Sequence, residues 1–333
     1  MQAIIPVAGA GTRLRPLTYT QPKVLIAVAG KPILAYIIEN LQQNGVTHFV
    51  FVIGYLGEKI KEYVETHHPD LHADFIWQEE RNGLGHAIYS AKDSVDRNQP
   101  LIIQLGDTIL DADFTAILNS GFSTLCVKKV EDPRAFGVAQ LSEDGSITSL
   151  VEKPLIPKSN MALVGFYYIK ETAALFAALQ FNIENNLRTN NEFYLTDALQ
   201  RMISEGAHFK SYKAEHWFDV GKKDILLETN AILLRKNGST GRSNLPADSI
   251  FIPPFYVAEN ARISNSIIGP YVTIGENSEI SNCMLRNSVI GSFSKLENVT
   301  LHASLIGSDT TVKGNSQSLN IGDNTEIDLR GNA

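Results

Sequence analysis

Apolar positions in the first hundred residues follow two rhythms. Short apolar-rich runs at residues 3–7, 49–53, 74–78 and 101–105 are separated by stretches at 33–44, 58–66 and 84–95, where apolar side chains return every three or four positions. The first rhythm predicts buried strands and the second amphipathic helices. Such alternation builds an α/β domain with a Rossmann-like, mostly parallel sheet and helices on both faces. Sheets of this kind bind ligands beyond the C-terminal ends of their strands. From about residue 122 the pattern turns strand-rich (124–130, 137–141, 147–152, 163–169) and then helical (173–179, 194–205). A helix at 224–235 closes this first domain, residues 1–238, and 236–241 reads as a linker.

Residues 239–333 repeat themselves. Ile274-Gly275, Ile290-Gly291, Ile306-Gly307 and Ile321-Gly322 recur at intervals of 16, 16 and 15, with apolar residues six positions later at Ile280, Leu296, Val312 and Ile327. A period of this length predicts a solenoid whose coils bury their apolar edges against one another.

Bulk properties narrow the classes of function. The 333 residues suit two domains. A net charge of −7 argues against a nucleic-acid partner, which would reward a basic surface. No apolar stretch approaches the roughly 20 residues that cross a bilayer, so no membrane partner and a cytoplasmic location are expected. Cys126 and Cys283 lie at neither zinc nor disulfide-framework spacing and read as reduced and structural.

Candidate chemistry begins directly after the first strand. Residues 8–18 read AGAGTRLRPLT and are trailed by Pro22-Lys23. Gly9 and Gly11, within Ala8 to Thr12, let backbone N–H groups approach anionic oxygens, and Arg13, Arg15 and Lys23 supply positive charge. Neither a Walker A loop nor a third glycine near position 14, where Leu14 stands, is present. A plain turn is the alternative for the glycines alone. Asp107, after the strand at 101–105, and Asp219, in Trp217-Phe218-Asp219-Val220-Gly221, are either turn and capping residues or carboxylates for a hard cation. Glu152-Lys153-Pro154 closes a strand with an acid and a base expected on opposite faces, where a surface ion pair is the plain alternative. Gln78, whose amide both donates and accepts, and Gly83 suit the edge of a pyrimidine. Arg81 and His86 beside them read as a solvated arginine and a helix-lining histidine.

These motifs, in this order, resemble the signature of the sugar nucleotidyltransferases, and within them the long form of the glucose-1-phosphate thymidylyltransferases. The resemblance covers about 235 residues at high specificity. It implies an enzyme that joins a nucleoside triphosphate, dTTP or UTP, to a sugar 1-phosphate, glucose 1-phosphate foremost, and releases pyrophosphate. It places Ala8, Gly9, Gly11, Thr12, Arg13, Lys23, Gln78 and Gly83 at the nucleotide, with Arg13, Lys23 and Lys153 catalytic. Gly137, Glu152, Lys153, Val164 and Glu192 fall at the sugar phosphate, and Asp107 and Asp219 at a Mg2+ cofactor. Tyr194 stands where some members carry a second acid. The repeats resemble the hexapeptide coils of left-handed parallel β-helices, and a homo-oligomer is expected. Alternatives are a mannose-1-phosphate guanylyltransferase, a bifunctional enzyme whose β-helix transfers acyl groups with His302 as base, and a regulatory subunit that binds sugar nucleotide without turnover.

Overall fold

The computed structural model describes residues 1–314, and Ile321-Gly322 and Ile327 of the repeat lie outside them. The chain divides into two compact units, residues 1–236 and residues from 237 onward.

The first unit is built on one nine-stranded sheet. Strands β1 (Gln2–Pro6), β2 (His48–Ile53), β3 (His72–Trp77) and β4 (Leu101–Gln104) run parallel, with β1 paired to both β2 and β4. Helices α1 (Ile33–Gln43), α2 (Gly57–His67) and α3 (Leu84–Ser90) connect them, as the two rhythms predicted. Helix α3 ends five residues before the expected 95.

The sheet as a whole is mixed, which corrects the mostly parallel expectation. Strand β6 (Ser123–Lys129) and hairpin partners β7 (Gly137–Leu141) and β8 (Ile147–Glu152) precede β9 (Met161–Ile169). Strand β9 runs antiparallel to β4, β6 and β7. Short turns such as the one between β7 and β8 can only reverse the chain, whereas parallel neighbours need a crossover helix. Helices α4 (Thr172–Glu184) and α5 (Leu195–Ser204) pack on this half. Fully buried Ile4, Val50, Leu101, Ile103, Leu125 and Ile169 belong to one core cluster with side chains of both helices. Each such burial contributes about 1.5–3 kcal/mol.

Two further strands position the site. Thr108–Asp111 (β5) and His216–Asp219 form a separate antiparallel pair, with Thr108 opposite Asp219. Helix α6 (Lys223–Asn237) follows.

Among the described residues the second unit holds three sheets of parallel strands. Ile274, Ile290 and Ile306 fall in one of them, and Ile280, Leu296 and Val312 in another. Each turn of the chain adds a strand to each sheet in order, an arrangement consistent with a β-helix. Val257, Ile268, Ile274, Ile280, Leu285, Ile290 and Leu296 fill its interior. Thr240–Gly241, expected in the linker, is a short strand paired with Phe255–Val257. No helix among the described residues is long and apolar enough to cross a membrane.

Candidate active site

The C-terminal ends of β1, β3 and β4 open on one cleft of about 450 Å³. It gathers Ala8, Gly9, Gly11, Thr12, Arg13, Lys23, Gln78, Gly83, Asp107 and Glu192. Three of the segments come from strand ends, as a parallel sheet requires. Glu192 arrives from the loop before α5.

The first loop is shaped to receive an anion. Gly11 has φ +59, a left-handed conformation that glycine adopts without penalty. A Cβ there would lie 3.0 Å from Lys23 Cβ and from Thr18 Cγ2. The Thr18 hydroxyl donates to the Gly11 carbonyl at 2.8 Å and holds the turn. The N–H groups of residues 9–13 meet no acceptor among the described residues, so a row of backbone donors is left for a ligand. A Cβ on Gly9 would meet nothing within 4 Å and would project into open space. Arg13 is exposed, while Arg15 turns aside over the Tyr19 ring, 4.9 Å from its centroid.

Opposite the loop, Lys23 Nζ donates to Asp107 Oδ2 at 2.6 Å. The lysine side chain is 10% exposed and the aspartate 34%, so the pair sits at the floor of the cleft with the carboxylate still reachable. Asp107 also anchors the Asp219 segment, because its carbonyl accepts the Val220 N–H at 3.1 Å. The Asp219 side chain lies outside what the structure describes. Asp107 and Asp219 lie on adjoining backbone, and the Asp107 carboxylate is open to a polyanion's oxygens, a setting that suits a hard divalent cation keeping several non-protein ligands.

Gln78 is buried at the edge of the cleft. Its Nε2 lies 3.2 Å from the Gly83 carbonyl and 3.3 Å from His86 Nδ1. Arg81 also lines the cleft, with its guanidinium 5.7 Å from the centroid of Tyr55.

Gly137, Glu152, Lys153 and Val164 do not line that cleft; Gly137, Glu152 and Lys153 form a cluster of their own. The sequence predicted Glu152 and Lys153 on opposite faces. Instead Lys153 takes φ +41, which breaks the strand alternation and brings its Nζ to 3.8 Å from Glu152 Oε1. A left-handed non-glycine residue costs about 1–2 kcal/mol and is held only where its surroundings over-determine it. Here the Lys153 N–H donates to the Phe136 carbonyl at 3.0 Å, and Nζ donates to the Tyr194 hydroxyl at 2.9 Å. Glu152 Oε2 accepts from the Thr196 hydroxyl at 2.6 Å. Gly137 permits this, since a Cβ would lie 3.0 Å from Glu152 Oε2. Val164 is buried, so only its backbone could touch a ligand.

Electrostatics distinguish the two residues. Burial lowers the lysine's hold on its proton, but the Tyr194 hydroxyl and the charges of Tyr194, Glu152 and Glu192 outweigh it, and the Lys153 pKa is raised. Burial dominates at Glu152 and raises its pKa, against the Thr196 hydrogen bond and the Lys153 charge. Folded protein therefore holds the Glu152 proton more tightly than unfolded chain does. Its contribution to stability is complete below the unfolded carboxylate pKa and declines as pH rises through the raised folded value. Glu152→Gln, which keeps an acceptor for Thr196, should gain in melting temperature relative to wild type as pH rises from about 4 to 7. Thermal melts across that range check this, and a gap that stays constant or narrows would contradict it.

Sequence reasoning overlooked Tyr194, Thr196 and His86 as partners. Their contacts mark them as partners: those of Tyr194 and Thr196 join segments about forty residues apart, and that of His86 closes a turn of eight residues back onto Gln78.

Residues 2–236 match the family described as nucleotidyl transferase. The chain is 30% identical over 317 residues to the low-salt glycan biosynthesis nucleotidyltransferase Agl11 of Haloferax volcanii, covering 87% of each. It is 30% identical over 361 aligned positions to a glucose-1-phosphate thymidylyltransferase of Streptomyces antibioticus, covering 99% of this chain and all of that one. Among solved structures, a UDP-glucose pyrophosphorylase complexed with UDP-glucose superposes with a TM-score of 0.61 at 24% identity, over 71% of this chain and 98% of that one. This last likeness bears on fold alone.

Proposed function

The chain belongs to the nucleotidyl transferase family, and from that premise we propose that it joins dTTP or UTP to glucose 1-phosphate and releases pyrophosphate. The observation that carries the reading is the cleft itself. A loop of unpartnered N–H groups faces the Lys23–Asp107 pair, with Gln78 at the rim. A triphosphate laid along residues 9–13 meets backbone donors, Arg13 and Lys23, while its base reaches Gln78 and Gly83.

The reaction needs no covalent nucleophile. An oxygen of the sugar phosphate attacks the α-phosphorus as the bond from that phosphorus to the β-bridging oxygen breaks, and the electron pair leaves with pyrophosphate. Positioning and charge stabilisation suffice. Lys153 holds the incoming sugar phosphate, Glu152 and Glu192 accept from sugar hydroxyls, and Gly137 and Val164 offer backbone contact. Arg13 and Lys23 neutralise charge that gathers on the α-phosphate and the leaving group. Asp107 and Asp219 would hold Mg2+, which supplies further charge neutralisation on the phosphates. The hexapeptide resemblance further supports a left-handed coil for the second unit, and a cytoplasmic homo-oligomer completes the reading.

The test is pyrophosphate release from dTTP, UTP, GTP and CTP paired with glucose, mannose, galactose and N-acetylglucosamine 1-phosphates, with Mg2+ or EDTA. One preferred, EDTA-sensitive pair containing dTTP or UTP and glucose 1-phosphate is expected. Preference for GTP with mannose 1-phosphate, or turnover that survives EDTA, would overturn the assignment of substrates or of cofactor respectively.

A further inference from the structure

We infer that Gln78 offers a nucleobase only its carbonyl oxygen, and that His86 is the positioning residue that keeps it so. The inference rests on the proposal that Gln78 meets the base, and it sharpens what that contact can recognise.

The Gly83 carbonyl determines which way the amide points. It accepts the Ala87 N–H at 3.1 Å, the bond that opens α3, so the helix fixes its direction. A carbonyl can only accept, and therefore the amide atom 3.2 Å away must be the nitrogen. His86 stands in the first turn of the same helix, and its Nδ1 faces that same nitrogen at 3.3 Å. It can accept there only as neutral imidazole with its proton on Nε2. Burial lowers the His86 pKa below the usual imidazole range; Glu80 opposes the shift, and Arg188 adds to it. The neutral form is thus the one present near neutral pH.

With one hydrogen directed to Gly83 and the other to His86, the amide has no hydrogen left to give. Its Oε1 alone remains to meet a ligand, from a residue 7% exposed that lines the cleft. An acceptor of that kind selects a ring N–H. Uracil and thymine carry one at N3, whereas cytosine presents a lone pair at N3 that the carbonyl would repel. The preference for an imide pyrimidine therefore depends on a histidine that never touches the base. Removing His86 frees one amide hydrogen, lets the amide rotate, and admits cytosine.

The experiment measures equilibrium binding of UTP and of CTP to wild type, His86→Ala and His86→Gln, with melting temperature as the check on folding. Glutamine can restore an acceptor towards Gln78 and serves as the conservative variant. Wild type and His86→Gln should prefer UTP alike, while His86→Ala should lose about tenfold or more of that preference, because a site's polar mismatch sets its discrimination. The wild-type preference should also fall on acidification below the usual imidazole range, where the lowered His86 pKa lies and Nδ1 gains a hydrogen that opposes the amide N–H, and the His86→Gln preference should not. A merely structural histidine would weaken both nucleotides equally and leave the ratio unchanged. An unchanged ratio in folded His86→Ala would overturn the role of His86 while leaving Gln78 at the base. Equal wild-type affinity for UTP and CTP would overturn base reading by Gln78, and this inference with it.

Discussion

Folded Asp107→Asn loses about 100-fold to 1000-fold in kcat/KM for pyrophosphate release, the scale on which removing one preorganised electrostatic group from an active site is felt. The substitution is nearly isosteric, and the side chain it replaces is one-third exposed on a turn, so no cavity opens. What changes is charge. The carboxylate that meets Lys23 Nζ at 2.6 Å becomes a neutral amide, and one of the two aspartates suited to Mg2+ is gone. Lys23, largely buried, then stands against a weaker acceptor, and an exchange of this kind costs about 1–3 kcal/mol of stability. Steady-state kinetics against triphosphate, with circular dichroism and thermal melts on the same samples, separate the two effects. A folded variant turning over within threefold of wild type would remove Asp107 from the chemistry.

Lys153→Met produces a loss of similar size, but on the other substrate. Methionine retains an apolar stem against the Tyr194 ring, over which Nζ sits 4.7 Å from the centroid, while the ammonium disappears. The cluster loses the cation that Tyr194 and Glu152 hold in place, at 2.9 Å and 3.8 Å. If Lys153 grips the sugar phosphate as it attacks, kcat/KM for sugar 1-phosphate falls by about 100-fold or more while triphosphate binding changes little. Equilibrium binding of the triphosphate beside kinetics with varied sugar 1-phosphate resolves this. Equal loss on both substrates would place Lys153 at the nucleotide instead, and no loss would make it a structural ion pair.

The two sets of residues behind these predictions differ in how far the chain announced them. The loop from Ala8 to Thr12, Gln78 and Asp107 each follow an apolar run, and the parallel pairing of β1 with β2 and β4, and of β2 with β3, puts their ends on one edge. Strand ends are a local property, so their convergence could be read from pattern. The pairing of Lys23 with Asp107, 84 residues apart, could not, because nothing in either segment encodes the distance between them. Glu152 and Lys153 show a local expectation overturned. Strand alternation predicts opposite faces, and one left-handed residue at the strand end brings the two charges together.

The amino-acid sequence by itself determined the elements of the first unit, the glycine-bearing basic loop after its first strand, the strand ends that carry candidate chemistry, and the period of the second unit. All of these are written as spacing, and spacing translates directly into which face of a helix or strand is apolar. Tertiary structure decided the rest: a sheet that turns mixed where hairpins replace crossover helices, a lysine bent back onto its neighbour, a tyrosine and a threonine that hold the Glu152–Lys153 cluster, and an amide whose direction is set by a histidine and a helix-opening carbonyl. Those features depend on how packed backbone directs each group, between segments as distant as Lys153 and Tyr194 and as near as Gln78 and His86, and no periodicity records that direction.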